Sequence, residues 1–292
     1  MGMPPAARRA IAALGREIGP ASLQGVQALY DEEQRRLSVA PVLADAPYGE
    51  HERQRLDLYA PAGASGAPLF VWVHGGGFLR GDKGDLERWP NAHAGRWAAA
   101  NGMVGVVVNY RLAPEHRWPS GAEDLAAVVA WLEAHAAAHG GDPALIVLAG
   151  TSAGAAHVAS YLQREAGREQ IAGAVLLSGL YGVAPFSDVR DRSYYGEDDA
   201  AHGGMASLSA LAQTRVPLFA ACSEYDPPRF QAEYAGLIEA RSRAGQPLPV
   251  GGVIAGHNHF SLAYHLGTAD RRLSDALLDF VAGLPKSLDS TQ

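Results

Sequence analysis

A serine flanked by glycines occurs in this 292-residue chain with the spacing that a nucleophile on a tight turn requires. The segment 150–154, Gly-Thr-Ser-Ala-Gly, follows an apolar run at 144–149 and precedes the small residues of 155–159. The pattern G-x-S-x-G between a strand and a helix is a sharp turn that lifts the serine hydroxyl clear of the sheet edge. We therefore predict that Ser152 is a nucleophile and that the following helix directs its N-terminus at developing negative charge.

A glycine-rich loop follows the apolar run at 68–73, which we predict to be a central strand buried on both faces. The loop begins His-Gly-Gly-Gly-Phe at 74–78, and glycines let backbone N–H groups approach a ligand with no side chain in the way. Such N–H groups stabilise the oxyanion that forms when a serine attacks a carbonyl carbon. We predict an oxyanion hole built from Gly76, Gly77 and Ala153.

Candidate partners for the serine follow later in the chain, in the order serine, acid, histidine. The predicted strand 216–222 ends before Glu224 and Asp226, which places two carboxylates at the carboxyl edge of the sheet, where the ligands of such sheets bind. The last predicted strand ends before His257 and His259. One histidine would accept the serine proton, and one carboxylate would fix its tautomer.

The elements that must position these groups alternate between strands and helices. Strands are predicted at 55–59, 68–73, 103–109, 145–149, 171–178, 216–222 and 249–254. Helices are predicted at 86–100, 122–139, 230–243 and 271–281. This alternation is typical of an α/β fold in which helices cover both faces of a mostly parallel central sheet.

Two stretches lie outside this alternation. Residues 1–45 are predicted to be an amphipathic, helical N-terminal cap segment. Residues from about 181 to 213 form a long connection with mixed signals, and so long a connection is usually functional. We predict a cap insertion there, within a catalytic domain that spans 46–292.

Three motifs together resemble the hormone-sensitive-lipase-like branch of the α/β-hydrolases, in which bacterial carboxylesterases and arylformamidases share this arrangement. They are the segments 74–78 and 150–154 and the sequence Tyr-Arg-Leu-Ala-Pro-Glu-His at 110–116. The resemblance, which covers about residues 50–283, implies the α/β-hydrolase fold with a small helical cap.

The same resemblance separates the candidate acids and bases. The family pattern places the acid just before a proline and the histidine shortly before a phenylalanine. Asp226 precedes a proline and His259 precedes a phenylalanine, so the resemblance favours a triad of Ser152, His259 and Asp226. Glu224 and His257 remain the alternatives.

The resemblance further implies a serine carboxylesterase that forms an acyl-enzyme from uncharged esters of short to medium chain length. The predicted pocket wall is apolar or amphipathic, without an obvious pair of basic side chains. Its predicted members are Phe78, Leu79, Tyr181, Phe186, Tyr194 and Tyr195. An arylformamidase is the alternative, with Arg80 or Glu224 binding the charged end of the substrate. A non-catalytic binding protein of the same fold is a third hypothesis.

Composition excludes several other classes. The net charge of −7, without a basic block, argues against nucleic acid and anionic membrane surfaces as partners. Cys222 is the only cysteine, and no metal-ligand spacing or dinucleotide-binding glycine motif is present, so neither a metal nor a cofactor is expected. Without a long apolar run or a secretion signal, a soluble cytoplasmic protein is the default expectation. Similar enzymes also suggest a homodimer through the edge strand near 250–254.

Overall fold

The structure of the chain is a computed structural model that describes residues 2–165 and 170–285. Its strands are β1 (Leu43–Pro47), β2 (Arg55–Tyr59), β3 (Ala67–Val73), β4 (Val104–Val108), β5 (Gly141–Thr151), β6 (Gly173–Leu177), β7 (Leu218–Tyr225) and β8 (Val250–Asn258). Its α-helices are α1 (Pro5–Leu14), α2 (Pro20–Arg36), α3 (Ala92–Ala100), α4 (Ser120–His135), α5 (Ala153–Arg164), α6 (Val189–Tyr195), α7 (Asp199–Met205), α8 (Leu208–Gln213), α9 (Pro228–Arg243), α10 (Ser261–Tyr264) and α11 (Arg272–Ala282). The end of the predicted catalytic domain, 286–292, lies outside the described residues.

One eight-stranded sheet, in the order β1-β2-β4-β3-β5-β6-β7-β8, forms the centre of the molecule. Strand β2 is antiparallel to both β1 and β4, whereas the remaining neighbouring strands are parallel. The prediction of a mostly parallel central sheet flanked by helices is therefore confirmed.

Both faces of the sheet are covered, and the side chains of β3 alternate between them. Val71 lies in the core on one face together with Leu125 of α4. Trp72 lies in the core on the opposite face together with Trp97 of α3. Because neither face of β3 meets solvent, the strand is a nearly continuous apolar run rather than an alternating one.

The strand order places the two glycine-rich loops side by side. After β3 the chain crosses to β4 on one side, and it later enters β5 on the other side of β3. At such a point a crevice opens outside the carboxyl ends of the strands. Val73 and Gly150 are register partners at these ends, so the loop 74–78 and the segment 150–154 both leave the sheet at this crevice.

Two predicted elements differ from the structure. Residues 86–91 are not helical, because the Asp85 carboxylate accepts the backbone N–H groups of Glu87 and Arg88 in a local turn that competes with helix formation. Residues 43–45, predicted to be helical, belong to β1, where main-chain pairing with β2 holds them in extended form.

The long connection between β6 and β7 contains the three short helices α6, α7 and α8. Its first residues are held by Glu233 of α9, a fully buried carboxylate. Glu233 accepts the backbone N–H groups of Tyr181, Val183 and Ala184 at 2.9–3.1 Å. One side chain thereby fixes the position at which the connection leaves the sheet.

The N-terminal helices are attached to the same carboxyl edge of the sheet. Arg16, between α1 and α2, donates to the main-chain carbonyl oxygen of Asp226 at 2.9 Å. The Gln34 amide of α2 donates to the carbonyl oxygens of Tyr264 and Leu266 at 2.8 and 2.9 Å. Within the described ranges, no helix combines the length and apolar character needed to cross a membrane.

Replacing Glu233 tests whether this carboxylate anchors the connection. We expect Glu233→Ala to lower the free energy of unfolding by about 3 kcal/mol, because three backbone N–H groups lose their acceptor. Glu239→Ala is the control on the same helix, since Glu239 forms an exposed pair with Arg243 and should have a much smaller effect. Chemical denaturation of the two variants measures both values, and equal losses would contradict the anchoring role.

Candidate active site

The serine of the G-x-S-x-G segment stands on the turn between β5 and α5. Ser152 has φ 55° and ψ −121°, a left-handed conformation that costs a non-glycine residue free energy. A Cβ atom on Gly150 would lie 2.4 Å from the main chain of Gly154, and one on Gly154 would lie 2.1 Å from the carbonyl oxygen of Val73. Only glycine therefore fits at both flanking positions, and the turn presents the serine at the crevice.

Three of the predicted site residues come together at this turn. His259 Nε2 lies 3.0 Å from Ser152 Oγ, and His259 Nδ1 lies 2.7 Å from Asp226 Oδ1. The second oxygen of Asp226 accepts hydrogen bonds from the Ser178 hydroxyl at 2.5 Å and the Ser223 N–H at 2.6 Å. Sequence analysis did not identify Ser178, and its only signal is its position directly after β6.

The environment of Asp226 keeps its carboxyl group ionised. Burial by itself would raise the pKa of Asp226, but the hydrogen bond and charge of His259 and the hydrogen bonds from Ser178 and Ser223 outweigh it. The pKa of Asp226 is therefore below its ordinary value. An ionised Asp226 accepts the Nδ1–H of His259, so that Nε2 is the ring nitrogen directed at Ser152 Oγ.

The alternative acid and base have other partners. His257 is fully buried and lies 3.2 Å from Asp270 and 3.1 Å from the Ser261 hydroxyl. The carboxylate of Glu224 accepts the backbone N–H of Gly256 at 2.7 Å. Both side chains thus hold the segment that carries His259, and neither is hydrogen-bonded to Ser152.

The predicted oxyanion loop lies against the serine. A Cβ atom on Gly75 would be 3.2 Å from the Cβ of Ser152. Gly76 and Gly77 have φ values of 139° and 60°, conformations that favour glycine. Ala153 is the first residue of α5, so its N–H has no acceptor within the helix. The structure therefore brings the three predicted N–H donors to the same loop–helix junction.

His74, the first residue of the oxyanion loop, holds this loop in place through its ring and its carbonyl oxygen. Burial lowers the pKa of His74 to about 4, so the ring is neutral at physiological pH. Its Nδ1–H donates to the carbonyl oxygen of Gly75 at 2.7 Å. The ring also stacks on Tyr110, whose hydroxyl donates to the His74 carbonyl oxygen at 2.8 Å.

A cavity of about 950 Å³ opens beside Ser152 and His259. Among the six residues predicted to line it, Phe78 alone does so. The other five positions, Leu79, Tyr181, Phe186, Tyr194 and Tyr195, do not line this cavity. Leu79 is exposed to solvent and the four aromatic residues are buried. Stacking explains part of this burial, because Tyr194 stacks on Phe78 and Phe186 stacks on Tyr195 with centroid distances of 4.5 and 3.8 Å.

The cavity wall is more charged than the sequence suggested. Apolar members that were not predicted include Ile18, Leu23, Trp89, Leu180, Pro227, Phe230, Phe260 and Tyr264. Its charged members are Arg16, Arg35, Arg80, Arg88, Arg190, Arg229, Asp31, Asp82, Glu87, Asp188 and Asp191. These residues come from five separate parts of the chain, so no local pattern could have identified them as one wall.

One group of described residues, His257, His265 and Asp270, brings three potential metal ligands within 4.8 Å of one another. The carboxylate of Asp270 also accepts a hydrogen bond from Arg272 Nη2 at 2.5 Å. Because the guanidinium already balances the charge of this carboxylate, the group is a buried ion-pair network by its own contacts.

Comparison with known proteins identifies a matching family and several proteins of similar sequence. A family model described as the alpha/beta hydrolase fold matches residues 70–236. Phenmedipham hydrolase of Pseudarthrobacter oxydans is 32% identical over 185 residues, which cover 59% of this chain and 36% of that protein. Kynurenine formamidase of Salmo salar is 27% identical over 267 residues, which cover 87% of this chain and 86% of that protein.

A solved esterase of Pyrobaculum calidifontis has the same fold, with a TM-score of 0.67 over 96% of this chain and 97% of that one. Its sequence identity of 22% makes this a likeness of fold alone. The chain spans little more than a third, 36%, of the length of phenmedipham hydrolase.

Four single variants test which acid and base serve Ser152. We expect His259→Ala to lower kcat by about 10⁴ to 10⁶ and Asp226→Asn by about 10⁴, because each removes a member of the hydrogen-bonded set. His257→Ala and Glu224→Gln should cost far less, since their contacts only hold the loop. Measurements of kcat for all four variants, with unfolding curves to verify folding, rank the losses. A larger loss for His257→Ala than for His259→Ala would make His257 the base, and a larger loss for Glu224→Gln than for Asp226→Asn would make Glu224 the acid.

Proposed function

The chain belongs to the α/β-hydrolase family, and from this premise we propose that it is a serine hydrolase that cleaves carboxylic esters through an acyl-enzyme. The observation that carries the proposal is the hydrogen-bonded series from Ser152 through His259 to Asp226, at 3.0 and 2.7 Å. A weak nucleophile is activated when a base lies within hydrogen-bond reach and a third group orients that base.

In the proposed reaction, Ser152 Oγ attacks the ester carbonyl carbon while His259 Nε2 accepts the hydroxyl proton. The carbonyl oxygen becomes an oxyanion, which the N–H groups of Gly76, Gly77 and Ala153 bind. When the tetrahedral intermediate collapses, the bond to the alcohol breaks and the alcohol takes the proton from His259. Water then attacks the acyl-enzyme with His259 as base, and the acid leaves Ser152.

We propose acyl chains of short to medium length as the preferred substrates. A buried CH₂ group contributes about 0.8 kcal/mol only where it leaves water for an apolar surface. Apolar side chains such as Leu180 and Phe230 line the cavity near the serine, but much of the remaining wall is charged. A long chain would extend along arginine and aspartate side chains and gain little there. The sequence predicted uncharged esters because no pair of basic side chains was obvious in the pocket. Since arginines line the cavity, the proposed substrates also include charged esters.

A formamidase is the second candidate function. Two relatives that match nearly the whole chain are kynurenine formamidases, at 27% identity over 87% of this chain for the Salmo salar protein and 28% over 88% for the Danio rerio protein. The same triad and oxyanion hole serve amide and ester cleavage. Arginines on the cavity wall also give an amino-acid substrate a partner for its carboxylate.

Removing the proposed nucleophile tests the reaction class. Ser152→Ala should lower kcat on p-nitrophenyl butyrate by about 10⁴ to 10⁶, because the acyl-enzyme no longer forms. An organophosphonate probe should label the unaltered protein once per chain and the variant not at all, as mass spectrometry would measure. Near-complete residual activity, or labelling of the Ser152→Ala protein, would refute the assignment.

A substrate series tests chain length and bond type. Among p-nitrophenyl acetate, butyrate, octanoate and palmitate, we expect kcat/KM to be highest for butyrate or octanoate and at least about tenfold lower for palmitate, a difference of about 1.4 kcal/mol in transition-state binding. N-formylkynurenine is measured beside them. A palmitate value above that of butyrate would contradict the chain-length proposal, and a formamide value about tenfold above butyrate would favour the second candidate.

A further inference from the structure

Four charged side chains on the cavity wall are not used by the proposed reaction. Asp188, Arg190 and Asp191 lie at the start of α6, and Arg229 lies in the first turn of α9. All four line the cavity that opens beside Ser152. We call these four side chains the Arg190 cluster.

Arg190 lies directly over the proposed oxyanion loop. A Cβ atom built on Gly77 would be 2.8 Å from Cδ and 3.7 Å from Nε of Arg190, so a side chain at position 77 would collide with this arginine. The Arg190 side chain is 36% exposed, and it lines the cavity. A guanidinium in this place is close enough to interact strongly with a charged group joined to the reacting carbonyl by a short linker.

The two acids of the cluster are already paired with its arginines. Asp188 accepts both Nε and Nη2 of Arg190, at 2.8 and 3.0 Å, and these hydrogen bonds lower the pKa of Asp188 to about 2. Asp191 is 2% exposed and lies 2.6 Å from Arg229 Nη2. Neither carboxylate is therefore left uncompensated for a cationic ligand.

The arginines, in contrast, retain unused donors. A guanidinium carries five N–H donors, and Asp188 takes two from Arg190. Arg229 is bound to Asp191 as an ion pair, and its Nε and Nη2 atoms are shielded from solvent, so the donors open to the cavity are those of the partly exposed Arg190. An anionic ligand in the cavity would accept from the N–H groups of Arg190 that Asp188 does not take.

Basic side chains slightly outnumber acidic ones on the cavity wall. Six arginines and five acidic residues line it, although the protein carries a net charge of −7. Among the described residues, Arg16 and Arg80 have no acidic side chain within ion-pair distance. The formal charge of these eleven lining residues is +1, so the cavity repels an anion less than the rest of this acidic protein does.

We propose that Arg190 is a specificity-determining residue that binds a carboxylate of the substrate beside the scissile carbonyl. The inference rests on the proposed function and narrows its substrate class to esters or amides that carry a carboxylate. The planar fork of arginine matches the two oxygens of a carboxylate. The carboxylate belongs to either the acyl group or the leaving group, and the experiment separates these two sources.

Two pairs of esters, each a charged ester and its neutral methyl ester, measure the selectivity. Mono-p-nitrophenyl glutarate and p-nitrophenyl methyl glutarate place the charge on the acyl group. 4-Butyryloxybenzoate and its methyl ester place it on the leaving group. After subtraction of the uncatalysed rate, we expect kcat/KM to favour the charged member by about tenfold or more in one pair, as for a charge-assisted hydrogen bond.

Three variants assign this selectivity to Arg190. Arg190→Gln should lower the charged-to-neutral ratio of kcat/KM by about tenfold. Asp188→Asn should raise it, because Arg190 loses its competing partner while the asparagine oxygen still caps α6. Arg192→Gln is the control, since Arg192 belongs to the same helix but pairs with Glu197 and Asp199 away from the cavity wall, and its ratio should stay unchanged.

Opposite shifts for Arg190→Gln and Asp188→Asn would support the inference, since a merely structural role would lower both values or neither. Turnover of the neutral esters without a preference for the charged ones, or an unchanged ratio in Arg190→Gln, would overturn the inference and leave the proposed function intact. Absence of turnover on all four esters would overturn the proposed function and this inference with it.

Discussion

The active-site geometry depends on the close approach of two backbone segments, the end of β3 and the start of α5. Gly154 leaves no room for a side chain, since a Cβ atom there would lie 2.1 Å from the carbonyl oxygen of Val73. The N–H of Ser152 also donates to the carbonyl oxygen of Leu177 at 2.9 Å, which attaches the turn to β6. Because the backbone of three strand ends is held so closely, Ser152 keeps an unfavourable conformation that a looser turn would relax.

Buried carboxylates then attach the loops to this frame. Asp226 receives donors from His259, Ser178 and Ser223, and Glu233 receives three backbone N–H groups from the start of the long connection. A buried charge is tolerated only when hydrogen bonds replace its lost hydration. Each carboxylate therefore requires its partners to stay in place, and this requirement fixes the chain where it leaves β6, β7 and β8.

The cavity combines an apolar inner part with a charged wall. Phe230 lies beside the imidazole of His259, with ring centroids 4.3 Å apart, whereas the Arg190 cluster borders the oxyanion loop. Within this cluster, Arg190 pairs with Asp188 and Arg229 pairs with Asp191, so the charges balance when no ligand is bound. An apolar surface near the reacting atoms with a few placed charges around it is a common composition for sites that orient one small molecule.

The sequence by itself determined the features that local patterns encode. Runs of apolar residues predicted the parallel strands, and the glycine spacing around Ser152 and at 74–78 predicted where the two loops would meet. Resemblance to known motifs then favoured Asp226 and His259 over their neighbours. The strand predictions are confirmed because strand propensity depends on residues close together in the chain, whereas the roles of the site residues stay predictions.

Only the tertiary structure decided which side chains face the cavity and how their charges pair. The aromatic rings at 194 and 195 pack on each other and on Phe78. The wall is formed instead by residues from widely separated parts of the chain. Similarly, residues 43–45 are extended because β2 pairs with them, and the Ser178 hydroxyl reaches Asp226 only because β6 ends beside it. Hydrogen bonds and ion pairs act over a few ångströms in space, and the chain brings such partners together only when the sheet is assembled.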